Sequence, residues 1–290
     1  MFGVVSPERA TPRYWERAGK ESNVGEFVSI GAPLSQHDTA TRSGDCLRVW
    51  RLDGVAFESA EFNLVKERHD AWCNVLRNLP AGRTAIYHHR IHRRIHDRLT
   101  DASEPEFSAA FSKAYQDRIS VAPMMSNELY ITLLYRPFPS ELAKRSVRAS
   151  RTKESLTDYQ NQTLATMEQQ GALIERSLRE FGPTLLGCYE QDGNLFWESG
   201  ELFSFLINGV WRKVRFPTGP AYQALPDARL TFGGGMLEIR QGERRRYASM
   251  LSIKEFAGQV EPGTLGALLY EDSEFIETQS FSSLPRRQAM

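Results

Sequence analysis

Glu128–Pro139 reads ELYITLLYRPFP, and its alternation decides the fold class. Leu129, Ile131, Leu133 and Tyr135 recur at every second position, the period of a strand with one buried face. Pro137 and Pro139 end the strand, because proline offers no N–H to a sheet ladder. Upstream, SEPE at Ser103–Glu106 is a capping box, and Phe107, Phe111, Tyr115 and Ile119 recur every fourth residue behind it. The spacing predicts a short helix whose aromatic stripe belongs to the core. Ile86 to Ile95 reads as a second strand. A helix from about Ser59 places Val65, Trp72, Leu76 and Leu79 on one side, and Pro80 with Gly82 stops it. CLRVWRLDG, Cys46–Gly54, is a further strand closed by an Asp-Gly turn. The first half is therefore β-α-β-α-β. The residues before it, rich in Pro, Gly, Ser and charge, read as an arm that wraps.

Beyond Pro139 lies a basic stretch with Lys144, Arg145, Arg148, Arg151 and Lys153, then a helix capped by Ser155. Leu156, Tyr159, Thr163, Met167, Ile174, Leu178 and Phe181 mark its buried side, and Gly182-Pro183 ends it. A strand through Leu185–Tyr189, a short apolar helix near Leu202–Ile207 and two facing strands, Arg229–Arg240 and Arg244–Lys254, follow. A last helix, Thr264–Tyr270, leads to a strand from Glu274 to Phe281. The expectation is an α+β protein with mixed or antiparallel sheets and packed helices. Its parts are an arm at 1–44, a subdomain at 45–139, a basic hinge at 140–154 and a second subdomain at 155–290. Strand, helix and paired strands recur in both halves, so two related β-α-β subdomains are open, although the similarity is too faint for a repeat.

The chain has 290 residues, 41% hydrophobic and 25% charged, enough for one large domain or two medium ones. With 36 basic and 36 acidic side chains there is no global field to steer it onto nucleic acid or an anionic membrane; any such contact is local. Cys46, Cys73 and Cys188 are far apart with no CxxC pair, against a zinc ribbon or disulfide scaffold and for reduced thiols in a cytosolic compartment. MFGVVSPER is interrupted too early for a secretory signal, and no apolar run approaches the ~20 residues of a membrane helix.

Four of six histidines crowd into YHHRIHRRIHDR, at His88, His89, His92 and His96. On a strand His88, His92 and His96 share a face but alternate with Arg90 and Arg94, whose charge repels a dication, so no metal ligand is assigned. Arg83, Arg90, Arg93, Arg94 and Arg98 around Tyr87 are the best candidates for nucleic acid, because paired charge and stacking hold single strands; an acidic partner surface is the competing reading. Gly233, Gly234 and Gly235 are followed by Met236 and Leu237, not the lysine and hydroxyl of a phosphate loop, so they read as a turn. There is no GxSxG elbow, and neither Cys73 nor Cys188 has an evident base, so no catalytic and no cofactor-binding residue is assigned. Trp197, Phe203, Phe205 and Trp211, followed by Arg212, are too many for one short helix to absorb. They are the candidate partner-docking residues, since aromatics and arginine dominate binding hot spots.

Seven pieces in order carry a resemblance: VVSPER at the start, LRVWRLDGVAFESA, YHHRIHRRI, NELYITLLYRP, SIKEF, PGTLGALL and EFIETQSFSSL. Together they resemble the amino-terminal region of the type IV secretion and conjugal-transfer ATPases, the CagE/TrbE/VirB family. The resemblance implies multimeric ATPases on the cytoplasmic face of the bacterial inner membrane that energise a secretion or conjugation channel. Their front region is implied to dock onto inner-membrane channel components and neighbouring subunits, while a later RecA-like domain binds ATP and magnesium. These 290 residues contain no Walker A or Walker B element, so the expectation is an adaptor, either an isolated segment or a naturally shortened subunit, beside a motor supplied elsewhere.

Overall fold

The computed structural model describes residues 24–56, 60–95, 106–119, 124–138, 153–233, 235–253 and 265–282. In chain order the strands and helices are β1 (Ile30–Pro33), β2 (Asp38–Thr41), β3 (Cys46–Leu52), α1 (Phe62–Asn78), β4 (Thr84–Ile95), α2 (Glu106–Ile119), β5 (Met124–Tyr135) and α3 (Lys153–Ser177). They continue as β6 (Pro183–Leu185), β7 (Cys188–Gln191), β8 (Asn194–Trp197), α4 (Glu198–Asn208), α5 (Ala221–Ala224), β9 (Arg229–Phe232), β10 (Leu237–Gln241), β11 (Arg244–Ala248) and β12 (Phe275–Ser282). Gly266–Tyr270, expected as an α-helix, is a single 3-10 turn. Helices packed with antiparallel sheets make an α+β fold, as the sequence predicts.

The described residues form two compact units interleaved along the chain: one takes residues up to 48, 136–138 and 186–253, the other takes 49–135, 153–185 and 265–282. This is a different division from the successive subdomains at 45–139 and 155–290. Residues 24–44, expected as part of an arm, contain the antiparallel β1–β2 pair. Most of the basic hinge, including Lys144, Arg145, Arg148 and Arg151, lies outside the described residues.

In the second unit the ladder order is β3-β5-β4-β12, with β6 against the second half of β3. The long β4–β5 pairing runs from Thr84↔Tyr135 to Ile95↔Met124. Direct partners share a face, so Ile86, His88, Arg90 and His92 lie with Ile131 and Leu133 on one side and with Phe275, Glu277, Gln279 and Phe281 of β12. Helix α1 lays Trp72 on that side, edge-on to His88 at 6.5 Å and to Phe281 at 6.0 Å between ring centroids. Val75, one residue off the expected stripe, is its most buried side chain, while Val65, Trp72 and Leu76 are half-buried. Helix α3 buries Met167 and Ile174, with Leu178 buried just after its end, and its Glu175 accepts a 2.9 Å hydrogen bond from Trp50 Nε1, which gives the buried indole N–H a partner.

The aromatic stripe of α2 is a correction. Phe111 and Tyr115 are 65% and 55% exposed, stacked on each other at 6.5 Å instead of entering the core. Periodicity says that a helix has an apolar face; it does not say that another element covers it.

In the first unit β7 and β8 form a hairpin closed by Asp192 and Gly193, both at positive φ. The expected single strand Arg229–Arg240 is two strands, β9 and β10, folded back on each other with Phe232 opposite Leu237. Gly235 sits at φ +101° in the connection and Gly233 N donates to Met236 O at 2.8 Å, so Gly233 and Gly235 serve a turn, while Gly234 lies outside the described residues.

Candidate docking surface

Docking needs side chains that the fold leaves in water, so burial sorts the aromatic candidates. Helix α4, ESGELFSFLIN, starts with Glu198 and Glu201, whose carboxylates suit the positive end of its dipole. It ends at Gly209, at φ 69°, whose N–H donates to Phe205 O at 2.7 Å. Trp197, Phe203 and Phe205 are all buried, with Trp197 edge-on to Phe203 at 6.0 Å. Trp211 is half-buried against Phe205 at 5.2 Å. Arg212 turns inward: Nε donates to Ser204 Oγ at 2.9 Å, and Nη2 donates to the carbonyls of Ala224 and Leu225 at 2.8 and 3.0 Å. Of the five sequence candidates, three lie in the core of this unit and Trp211 and Arg212 lie at its margin.

The basic candidates on β4 are neutralised by acids on β5, on β12 and just before β12. Arg90 is buried, ion-paired with Glu277 directly across on β12 and lying over the Phe275 ring at 5.4 Å. Arg93 Nε donates to Glu128 Oε1 at 2.7 Å, and Arg94 Nη2 donates to the Asp272 carbonyl at 2.9 Å and to its carboxylate at 3.3 Å. Arg98 and His96 lie outside the described residues. The histidines are structural too. His89 Nδ1 lies 2.9 Å from Thr278 Oγ1, and His92 bridges Asn127 Oδ1 and the Glu271 carbonyl, each at 2.8 Å. Burial pushes the His89 imidazole down to about 4, with the adjacent His88 adding to the fall, and burial lowers His88 as well.

Nucleophile chemistry finds no support at the buried thiol. Burial and the charge of Asp38 push Cys46 up to about 12, so it is a thiol at neutral pH. Among the described residues no helix is long and apolar enough to cross a membrane.

The surface that remains is one the sequence candidates missed. Around β9, β10 and β11, Phe232, Met236, Tyr247, Met250, Leu251 and Ile253 are exposed, beside exposed Arg244, Arg245 and Arg246. The signal was present in RRRYASMLSI, three arginines followed by apolar residues with no clean alternation to bury them. Phe111 and Tyr115 give the second unit its own exposed aromatic pair.

Comparison with known proteins places the chain in a family. Residues 39–143 match the family described as type IV secretion system ATPase VirB4/TrbE, N-terminal domain, and residues 184–290 match the CagE, TrbE, VirB family, a component of the type IV transporter system. The chain belongs to the VirB4/TrbE family. It is 35% identical to type IV secretion system protein PtlC of Bordetella pertussis over 94% of its length, and 32% identical to type IV secretion system protein virB4 of Brucella abortus over 96%. A virB4 protein of Bartonella quintana is 27% identical over 90% of the chain. In each case the match covers 34% of the relative, so the chain spans about a third of the length of these VirB4-type proteins.

Proposed function

We propose that this VirB4/TrbE amino-terminal region is a docking and oligomerisation module, which positions an ATPase motor at the inner-membrane channel complex during secretion or conjugation. Its partners on this reading are other copies of the same ATPase and inner-membrane channel components, at the cytoplasmic face, with ATP and magnesium bound by a RecA-like domain elsewhere in the full-length protein. The observation that carries it is the stacked Phe111–Tyr115 pair, two large aromatic side chains on one helix left in water, the kind of side chain that anchors an interface. Trp211, half-exposed at the margin of the other unit, is a second anchor.

The competing reading, a single-stranded nucleic-acid site on residues 83–98, is weakened by Arg90, Arg93 and Arg94 each having an acidic partner. A phosphate would have to displace Glu277, Glu128 or Asp272.

Co-purification with co-expressed inner-membrane channel subunits tests the proposal. F111S/Y115S should reduce recovery of partner subunits at least tenfold while leaving the melting temperature unchanged, because neither ring is in the core. Full recovery with the double variant, and with W211A, would reject docking through these surfaces. Binding to single-stranded DNA that falls steeply with salt would favour the nucleic-acid reading.

A further inference from the structure

The β9–β11 sheet and its continuation are rich in arginine. Between Arg229 and Ile253 the sequence holds five arginines, Arg229, Arg240, Arg244, Arg245 and Arg246, against two acids, Glu238 and Glu243. Not all of that charge is available. Arg240 Nε donates to Glu238 at 3.1 Å, and Arg246 Nη1 donates to the Gly209 carbonyl at 2.6 Å. Arg244 and Arg245 are exposed and, among the described residues, have no acidic partner. Just beyond them Met250 and Leu251 are 90% and 93% exposed, and Ile253 is exposed as well.

These two groups of side chains call for different things from a partner. Guanidinium forks match phosphate oxygens, with or without an esterified chain. Methionine, leucine and isoleucine that stand almost fully clear of their own protein gain from any apolar medium and ask for no shaped pocket. A bilayer interface supplies both, phosphate at headgroup level and hydrocarbon just beneath it. A protein partner for such proud aliphatic side chains needs a matching groove together with acidic residues. Arginine charge on β11, with Phe232, Tyr247 and the aliphatic side chains exposed around the same sheet, fits a lipid interface, where aromatic as well as aliphatic side chains settle at the headgroup boundary.

We propose that Arg244 and Arg245 with Met250, Leu251 and Ile253 form a contact site for anionic phospholipid, the arginines on the headgroup phosphates and the aliphatic side chains in the acyl boundary. The site stands on this surface alone and does not depend on the docking role of Phe111 and Tyr115.

Flotation of the full 290-residue chain with vesicles tests it. The chain should float with equimolar phosphatidylglycerol and phosphatidylcholine, remain behind with phosphatidylcholine alone, and release as salt rises. R244Q/R245Q should weaken the anionic-vesicle affinity roughly thirtyfold, at ~1 kcal/mol per arginine. M250S/L251S should weaken it too, because the acyl-boundary contacts are lost while the headgroup contacts remain. Melting temperatures of both variants should match the parent, since none of the four side chains is buried. No flotation with anionic vesicles, or flotation that R244Q/R245Q leaves intact, overturns the proposal. So does binding to a polyglutamate peptide as tight as to vesicles with no effect of M250S/L251S, which would make an acidic protein segment the partner.

Discussion

Asp38 and Arg48 face each other across the β2–β3 ladder as a two-pronged pair: Nε donates to Oδ1 and Nη2 donates to Oδ2, each at 2.8 Å, with both side chains almost wholly out of water. A pair of this kind is held less by its attraction than by the cost of separating it. Removing one member leaves the other charged and buried, which costs about 3–5 kcal/mol. D38N and R48M should each lower urea stability by that order. D38L/R48M should lose much less than the sum of the two, and a strictly additive double variant would show that the pair is not the source.

His89 makes stability depend on pH. Its folded value of about 4 lies below the ordinary 6.5, so between those values the unfolded chain takes up a proton that the folded chain refuses. Stability is fully present above pH 6.5 and falls as the pH drops toward 4, by on the order of 3 kcal/mol for this group. His88, lowered chiefly by burial, adds to the same slope. Urea titrations across pH 4.5–7.5 (roughly the window set by these values) should show H89Q with a shallower decline than the parent; identical slopes would remove His89 as the cause.

Gly200 is a packing requirement. A Cβ there would lie 2.1 Å from Trp197 Cε3; that indole is buried, and the residue's main chain is fixed by its N–H donating to Val214 O at 2.8 Å. G200A gains ~1 kcal/mol of helix propensity but forces the ring to shift, at about 1–3 kcal/mol. The variant should melt below the parent, and a higher melting temperature would show that Trp197 yields easily.

Asn208 ties α4 to the chain beyond α5. Its Nδ2 donates to the carbonyls of Ser204 and Leu225, both at 2.8 Å, and its Oδ1 accepts from the N–H groups of Asp227 and Ala228 at 2.8 and 3.0 Å. N208A strands the Asp227 and Ala228 N–H groups, each costing about 1–3 kcal/mol when left buried without a partner, while the Leu225 carbonyl keeps its bonds from Ser204 Oγ and Arg212 Nη2. Hydrogen exchange should accelerate most at the Asp227 and Ala228 amides; uniform acceleration over the whole unit would point to global loss instead.

The elements with the strongest alternation were legible from the chain alone. Glu128–Tyr135, within β5, is a strand because hydrophobic residues at period two reach one face only in an extended conformation, and Ile86–Ile95, with isoleucines at 86, 91 and 95, lies within β4. The split of Arg229–Arg240 at its glycines was hidden, because both halves favour strand and only the turn at Gly233–Gly235 separates them. Among the site residues, nothing in the local spacing told Trp197, Phe203 and Phe205, which are buried, from Phe111 and Tyr115, which are not. The acids that neutralise Arg90 and Arg94 are far away in sequence, at Glu277 and Asp272, so pairing across strands had to form before their charge could be counted.

By itself the sequence determined the α+β class, most of the strands and helices, and the family, because backbone period, turn chemistry and ordered motifs are local properties. Only the tertiary structure decided which apolar and basic side chains reach water. Exposure depends on which distant strand or helix lies over a residue, and that is fixed by long-range pairing, not by neighbours in the chain.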